Sequence, residues 1–126
     1  MQTVINTNGA PQAIGPYSQA IKANGFLFIS GQLPIDPETG QMTAVDATAQ
    51  TEQVMKNLGA ILNAEGLRWV DVVKTTIYLT DLSDFARVNE TYGAYFESAY
   101  PARATVQVAA LSKGAKIEID AIAVLR

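Results

Sequence analysis

The sequence predicts an α+β domain with two helices on one face of a mixed sheet. Two segments show apolar residues at steps of three and four, and the segments around them alternate with a period of two. The elements follow in the order strands, helix, strand, helix, strands, which seats the helices together on one side of the sheet. A length of 126 residues, 48% of them hydrophobic, fits one domain spanning 1–126 around one core.

Thr3 to Asn6 is a short strand. Gly15 and Pro16 break the chain before a strand from Tyr17 to Lys22. Asn24-Gly25 is a hairpin turn, because both residues tolerate positive φ, and it leads into the apolar strand Phe26 to Ser30. Pro34, Asp36, Pro37, Thr39 and Gly40 mark a long turn region. Asp46 to Glu65 is the first helix, with Asp46 as N-cap and a stripe of Ala47, Thr51, Val54, Leu58, Ile61 and Leu62. Gly66 stands where a left-handed C-terminal cap belongs, and Leu67 supplies its apolar contact.

Val72 to Leu79 is β-branched and alternating, hence a strand. Ser83 or Asp84 caps the second helix, whose stripe is Phe85, Val88, Tyr92, Tyr95, Phe96 and Ala99, and Pro101 stops it. In the strand Arg103 to Ala110, one face carries Arg103, Thr105 and Gln107 and the other Ala104, Val106 and Val108. In Lys116 to Leu125, Lys116, Glu118 and Asp120 oppose Ile117, Ile119, Ala121 and Ala123. The apolar face of each is expected under the helices. Ile122 and Val124 continue the polar face of the last strand, and Val72 and Tyr78 lie opposite Ile77 and Leu79. Such residues should not stay wet, so a second copy of the chain is expected to cover that face.

Composition narrows the chemistry. There is no Cys and no His, so neither a Ser/His/Asp unit nor a zinc site of the usual type can be built. The net charge is −3 and the nine Lys and Arg form no run, which argues against a nucleic-acid partner. The longest apolar runs are about six residues against the ~20 needed to span a membrane. The N-terminal stretch lacks a basic start and an apolar core, so no signal peptide is expected and the expected location is cytoplasmic. The glycines make no phosphate-binding pattern, and Asp36, Glu38 and Asp46 lack calcium-loop spacing.

Arg103 and Glu118 are the leading candidates. Arg offers a planar fork matching a carboxylate at two points, and a half-buried carboxyl can move a proton. The alternatives are a structural ion pair or two solvated charges. Tyr17, fixed by Gly15-Pro16, could close over a ligand or be an ordinary strand aromatic. Ser30-Gly31 allows close backbone approach to a ligand or marks a bulge or turn. Asn89, beside an apolar stripe, is a ligand contact or a satisfied core amide.

Three stretches carry a resemblance. Pro101-Ala102-Arg103-Ala104-Thr105-Val106 with Leu111 and Ile117-Glu118-Ile119, Ala13-Ile14-Gly15-Pro16-Tyr17-Ser18-Gln19-Ala20, and Ile29-Ser30-Gly31-Gln32-Leu33-Pro34 resemble the motifs of the Rid family (reactive intermediate deaminases, YjgF-like), most of all its RidA subgroup. The match spans essentially the whole chain. The resemblance implies a fold like bacillus chorismate mutase, with a six-stranded mixed sheet backed by two helices. It also implies a homotrimer around a central barrel, with three clefts between subunits. The implied activity is cofactor-free, metal-free hydrolysis of 2-aminoacrylate and related 2-imino acids to 2-keto acids and ammonia. Carried over, Arg103 binds the substrate carboxylate and Glu118 orients water or shuttles its proton. Tyr17 stands at the cleft mouth, Ser30 and Gly31 in its wall, and the Thr105 backbone beside the substrate. Thr105 replaces a Cys frequent among relatives. The competing readings are a non-catalytic 2-keto acid binding module and a chaperone-like or translation-inhibiting interaction protein.

Overall fold

A computed structural model describes residues 2–126. The strands are β1 (Thr3–Ile5), β2 (Ala20–Ala23), β3 (Phe26–Gln32), β4 (Val72–Leu79), β5 (Ala102–Gln107) and β6 (Ile117–Val124). The helices are α1 (Ala47–Ala64) and α2 (Phe85–Gly93). The strands form one mixed sheet in the order β1-β2-β3-β6-β4-β5, in which only β4 and β5 run parallel. A parallel pair needs a long crossover, and α2 supplies it. Both helices lie on one face.

The local signals explain most elements. Asn24 (φ 51°) and Gly25 (φ 83°) are both left-handed, the requirement of a two-residue hairpin turn between β2 and β3. The Asp46 carboxylate accepts the Ala49 N–H at 2.7 Å and caps α1. At the other end Gly66 has φ 68°, Leu67 N–H donates to the Leu62 carbonyl and Gly66 N–H to that of Asn63. This is a Schellman closure, and Leu67 is buried beside it. Val54, Met55, Leu58, Ile61 and Leu62 of α1 pack against Leu27, Ile29, Ile77, Leu79, Ile117 and Ile119 of the sheet.

Four expectations are corrected. The chain enters β2 at Ala20, so Tyr17 lies in the preceding turn and not in a strand. The second helix begins after a 3-10 turn, Leu82–Asp84, capped by Asp81 and by neither Ser83 nor Asp84. It ends at Gly93, and Tyr95 and Phe96 leave the helix to pack around Trp69 at centroid distances of 5.4 and 5.5 Å. A register shift at Val73 turns Val72 into the core, so Val72 does not share the open face with Tyr78. The fourth concerns β5. Its parallel register pairs Arg103 with Thr75, Thr105 with Ile77 and Gln107 with Leu79, all residues on the helix side of β4. The polar face of β5 therefore looks toward the helices, and Ala104 and Val106 look away from them.

β6 alternates as expected, with Ile117, Ile119, Ala121 and Ala123 buried and Glu118, Asp120, Ile122 and Val124 on the open face. That face also carries Phe26, Phe28 and Val106, each well exposed. No helix among the described residues is long and apolar enough to cross a membrane. Replacing the α1 cap, Asp46→Ala, should cost about 1 kcal/mol, read by denaturant unfolding at fixed protein concentration.

Candidate functional site

Glu118 is held by an irregularity in the strand beside it. β3 pairs Ile29 with Ala121 and Gln32 with Ile119, so Ser30 and Gly31 together stand opposite Asp120. This is a β-bulge. Ser30 is fixed there by its N–H to the Gln19 carbonyl (2.9 Å) and its hydroxyl to the Ser18 carbonyl (2.5 Å). The bulge brings the Gly31 backbone against the Glu118 side chain. A Cβ on Gly31 would lie 2.8 Å from the carboxyl carbon and 3.1 Å from Cγ of Glu118. Of the two readings of Ser30-Gly31 the structure shows the bulge, and the close approach of Gly31 is to a side chain of its own chain. Ser30 and Gly31 also line a shallow groove with Ser18, Phe28, Asp120 and Ile122.

Gln19 organises the loop before β2. It is almost wholly buried, its amide donates to the carbonyls of Thr7, Ala10 and Pro11, and its oxygen accepts the Thr7 N–H. Tyr17, two residues earlier, is 54% exposed, and its hydroxyl accepts the Ile14 N–H.

Arg103 sits elsewhere, on the helix side of the edge strand β5. Its guanidinium lies over the rings of Phe85 (5.6 Å) and Tyr92 (5.2 Å), a cation–π platform supplied by α2. The platform is fixed because the Tyr92 hydroxyl and Thr75 Oγ1 share a buried hydrogen bond of 2.7 Å. Asn89, Gly93, Tyr100 and Pro101 complete the groove around Arg103. No carboxylate pairs with Arg103 among the described residues. Asn89 Oδ1 and Thr105 Oγ1 are buried without a hydrogen-bond partner among them. Asn89 is therefore not a satisfied amide, and an unpaired buried acceptor costs free energy until something meets it.

The candidates thus fall into two groups. Ser30, Gly31 and Glu118 come together. Arg103, Asn89 and Thr105 form a second group beneath α2. Within one chain Arg103 and Glu118 are not an ion pair, since they lie on opposite faces of the sheet with β4 between their strands. Burial pushes the Glu118 carboxyl above the usual glutamate range, and the nearby Asp120 adds to the rise. A carboxyl so placed can hold or release a proton, and a free guanidinium on an aromatic floor can anchor an anion. Sequence reasoning missed Gln19, Tyr92, Tyr78 and Asp120. For Asp120 the signal was present, because it shares the polar face of its strand with Glu118.

Comparison with known proteins bears on the family and the fold. The family model described as Endoribonuclease L-PSP matches residues 7–125. "Reactive Intermediate Deaminase A, chloroplastic" from Arabidopsis thaliana is 57% identical, over 97% of this chain and 65% of its own length. The Homo sapiens "2-iminobutanoate/2-iminopropanoate deaminase" is 49% identical, over 98% of this chain and 90% of its own. Among solved structures, E. coli TdcF with bound serine superposes with a TM-score of 0.94 at 43% identity, covering 98% of this chain and 99% of the other. The Rid-family protein YyfA from Yersinia pestis gives 0.97 at 48% identity, covering 99% and 100%. With the motifs, the six-stranded sheet and its two helices all in agreement, the chain belongs to the Rid family.

Proposed function

We propose that this chain hydrolyses 2-enamine and 2-imine acids, such as 2-aminoacrylate, to 2-keto acids and ammonia. The observation that carries the reading is Arg103: a guanidinium with no carboxylate of its own, held on the Phe85 and Tyr92 rings in an open groove. It suits the two-point binding of a substrate carboxylate. Relatives at 49–57% identity bear deaminase names. The imine carbon is already electrophilic. Glu118 would give its proton to the imine nitrogen, take one from water as the water adds to the carbon, and return it to the nitrogen as ammonia leaves. Such acid–base help is worth about 10²–10⁴-fold. Tyr17, Ser30 and Gly31 would form the wall near Glu118, and Asn89 and Thr105 that near Arg103.

A ligand touching both Arg103 and Glu118 cannot do so within one chain, which supports clefts between subunits. The exposed Phe26, Phe28, Val106 and Val124 on the open face support the same assembly, a homotrimer in this reading. An RNA-cleaving role, named in the description of the matching family model, has the net charge of −3 and the scattered Lys and Arg against it.

The test generates 2-imino acids with an amino-acid oxidase and follows semicarbazone formation. Wild-type protein should suppress it; no effect across several imino acids would leave only a binding role. Arg103→Ala should lower kcat/KM by at least about 100-fold, since two charge-assisted hydrogen bonds of about 1.5–3 kcal/mol each are lost. Arg103→Lys should recover little of this, because an ammonium cannot make the two-point contact. Gly31→Ala should impair activity with the far-UV spectrum unchanged, because its methyl displaces Glu118. Glu118 also makes stability depend on pH. Its folded value is raised, so its stabilising contribution is present below the ordinary glutamate value and is lost as pH rises through the folded one. Glu118→Gln should therefore unfold at a higher temperature than wild type at about pH 8, with the difference closing near about pH 4.

A further inference from the structure

Glu118 does not stand alone on the open face. Asp120 follows it two residues later, about 7 Å along the strand on the same side. Burial lifts the Glu118 carboxyl above its usual range, and the charge of Asp120 there adds to the rise. The two carboxyls differ in the hydrogen bonds they receive. Tyr78 of β4 stands directly opposite Glu118 in the register, yet its hydroxyl reaches diagonally and donates to Asp120 Oδ2 at 3.0 Å. Diagonal neighbours across a pair of strands lie within reach of a tyrosine. Glu118 receives no such donor among the described residues and is pressed instead against the Gly31 backbone.

We infer that Tyr78 and Asp120 form a positioning dyad that holds a negative charge beside Glu118 and so keeps a proton on Glu118. The phenol donates to Asp120, and the negative charge of that side chain on the same face favours the protonated form of Glu118. The phenol is a dependable donor, because burial and the hydrogen bond to Asp120 hold its own ionisation above the usual tyrosine range. Within one chain the groups around Glu118 leave the dyad as its main electrostatic neighbour, and in the proposed assembly Arg103 of another copy would face it across the cleft. On β3, Ser30 and Gly31 bring no titratable side chain. On β4, Lys74 turns to the Thr75 carbonyl and Thr76 hydroxyl. Lys116, two residues before Glu118, is exposed and acts on Asp81. The inference rests on Glu118 being the proton carrier of the proposed reaction, and it names what sets that carrier's working pH.

The experiment titrates the full-length protein labelled with 13C at glutamate side-chain carboxyls. The Glu118 signal is assigned by its loss in Glu118→Gln. Asp120→Asn is nearly isosteric and should lower the Glu118 midpoint by about 0.5–1 pH unit. Asp120→Glu keeps the charge and should keep the wild-type midpoint. Tyr78→Phe should lower the midpoint by less, because Asp120 stays in place and loses only its tether. In the imine-trapping assay, the limb of the pH–rate profile that follows the Glu118 midpoint should move with it. An unmoved Glu118 midpoint in Asp120→Asn overturns the inference, and a Tyr78→Phe curve matching wild type removes the phenol from it. Wild-type protein without deaminase activity would refute the functional reading alone, since the carbon titration still decides for or against the dyad.

Discussion

The period of two along β6 is the constraint on which the rest of the structure depends. β6 lies between β3 and β4, and each of its residues must choose a face. Ile117, Ile119, Ala121 and Ala123 close the core beneath α1. The same alternation forces Glu118 and Asp120 together onto the opposite face. A one-residue slip would send both carboxyls into the apolar layer, where ionised groups cost several kcal/mol. Register and chemistry are therefore fixed by one pattern, and the burial that seals the core also half-buries the carboxyls.

The separation of Arg103 from Glu118 has an electrostatic meaning. Had the two met in one chain, the guanidinium would hold the glutamate ionised and be neutralised by it. Apart, each keeps its capacity. Arg103 rests on aromatic faces that do not cancel its charge, and Glu118 sits where burial favours its neutral form. The price is structural: β5 must present its polar side to α2, leaving Asn89 Oδ1 and Thr105 Oγ1 buried and unmet.

Much of this was legible in the residues, for physical reasons. The caps Asp46 and Gly66, the Asn24-Gly25 turn and the faces of β6 are set by local chemistry and by strong apolar contrast. β5 was not legible in the same way. Its alternation sets Arg103, Thr105 and Gln107 against Ala104 and Val106, and small residues give little contrast to orient a strand. The parallel register with β4 decides its face, and that is a tertiary fact. The extent of α2 was overestimated because Tyr95 and Phe96 keep the helical spacing while packing on Trp69 from outside the helix. At the candidate site, Arg103 and Glu118 were visible as residue types in polar positions. Their assignment to different faces was not visible, and neither was the bulge that presses Gly31 on Glu118.

The place of β6 in the sheet has a consequence for how the chain is made. Five strands precede it in the sequence, yet it lies between β3 and β4 and joins the β1-β2-β3 hairpin set to the β4–β5 pair. While the chain emerges from a ribosome, those two sets wait with open edges toward each other, and neither can pair correctly until the last of the six strands arrives. Open edges of that kind are templates for wrong pairing. The nascent chain is thus most exposed to aggregation just before β6 is complete, and the strand that carries the two carboxyls is also the one that ends this interval.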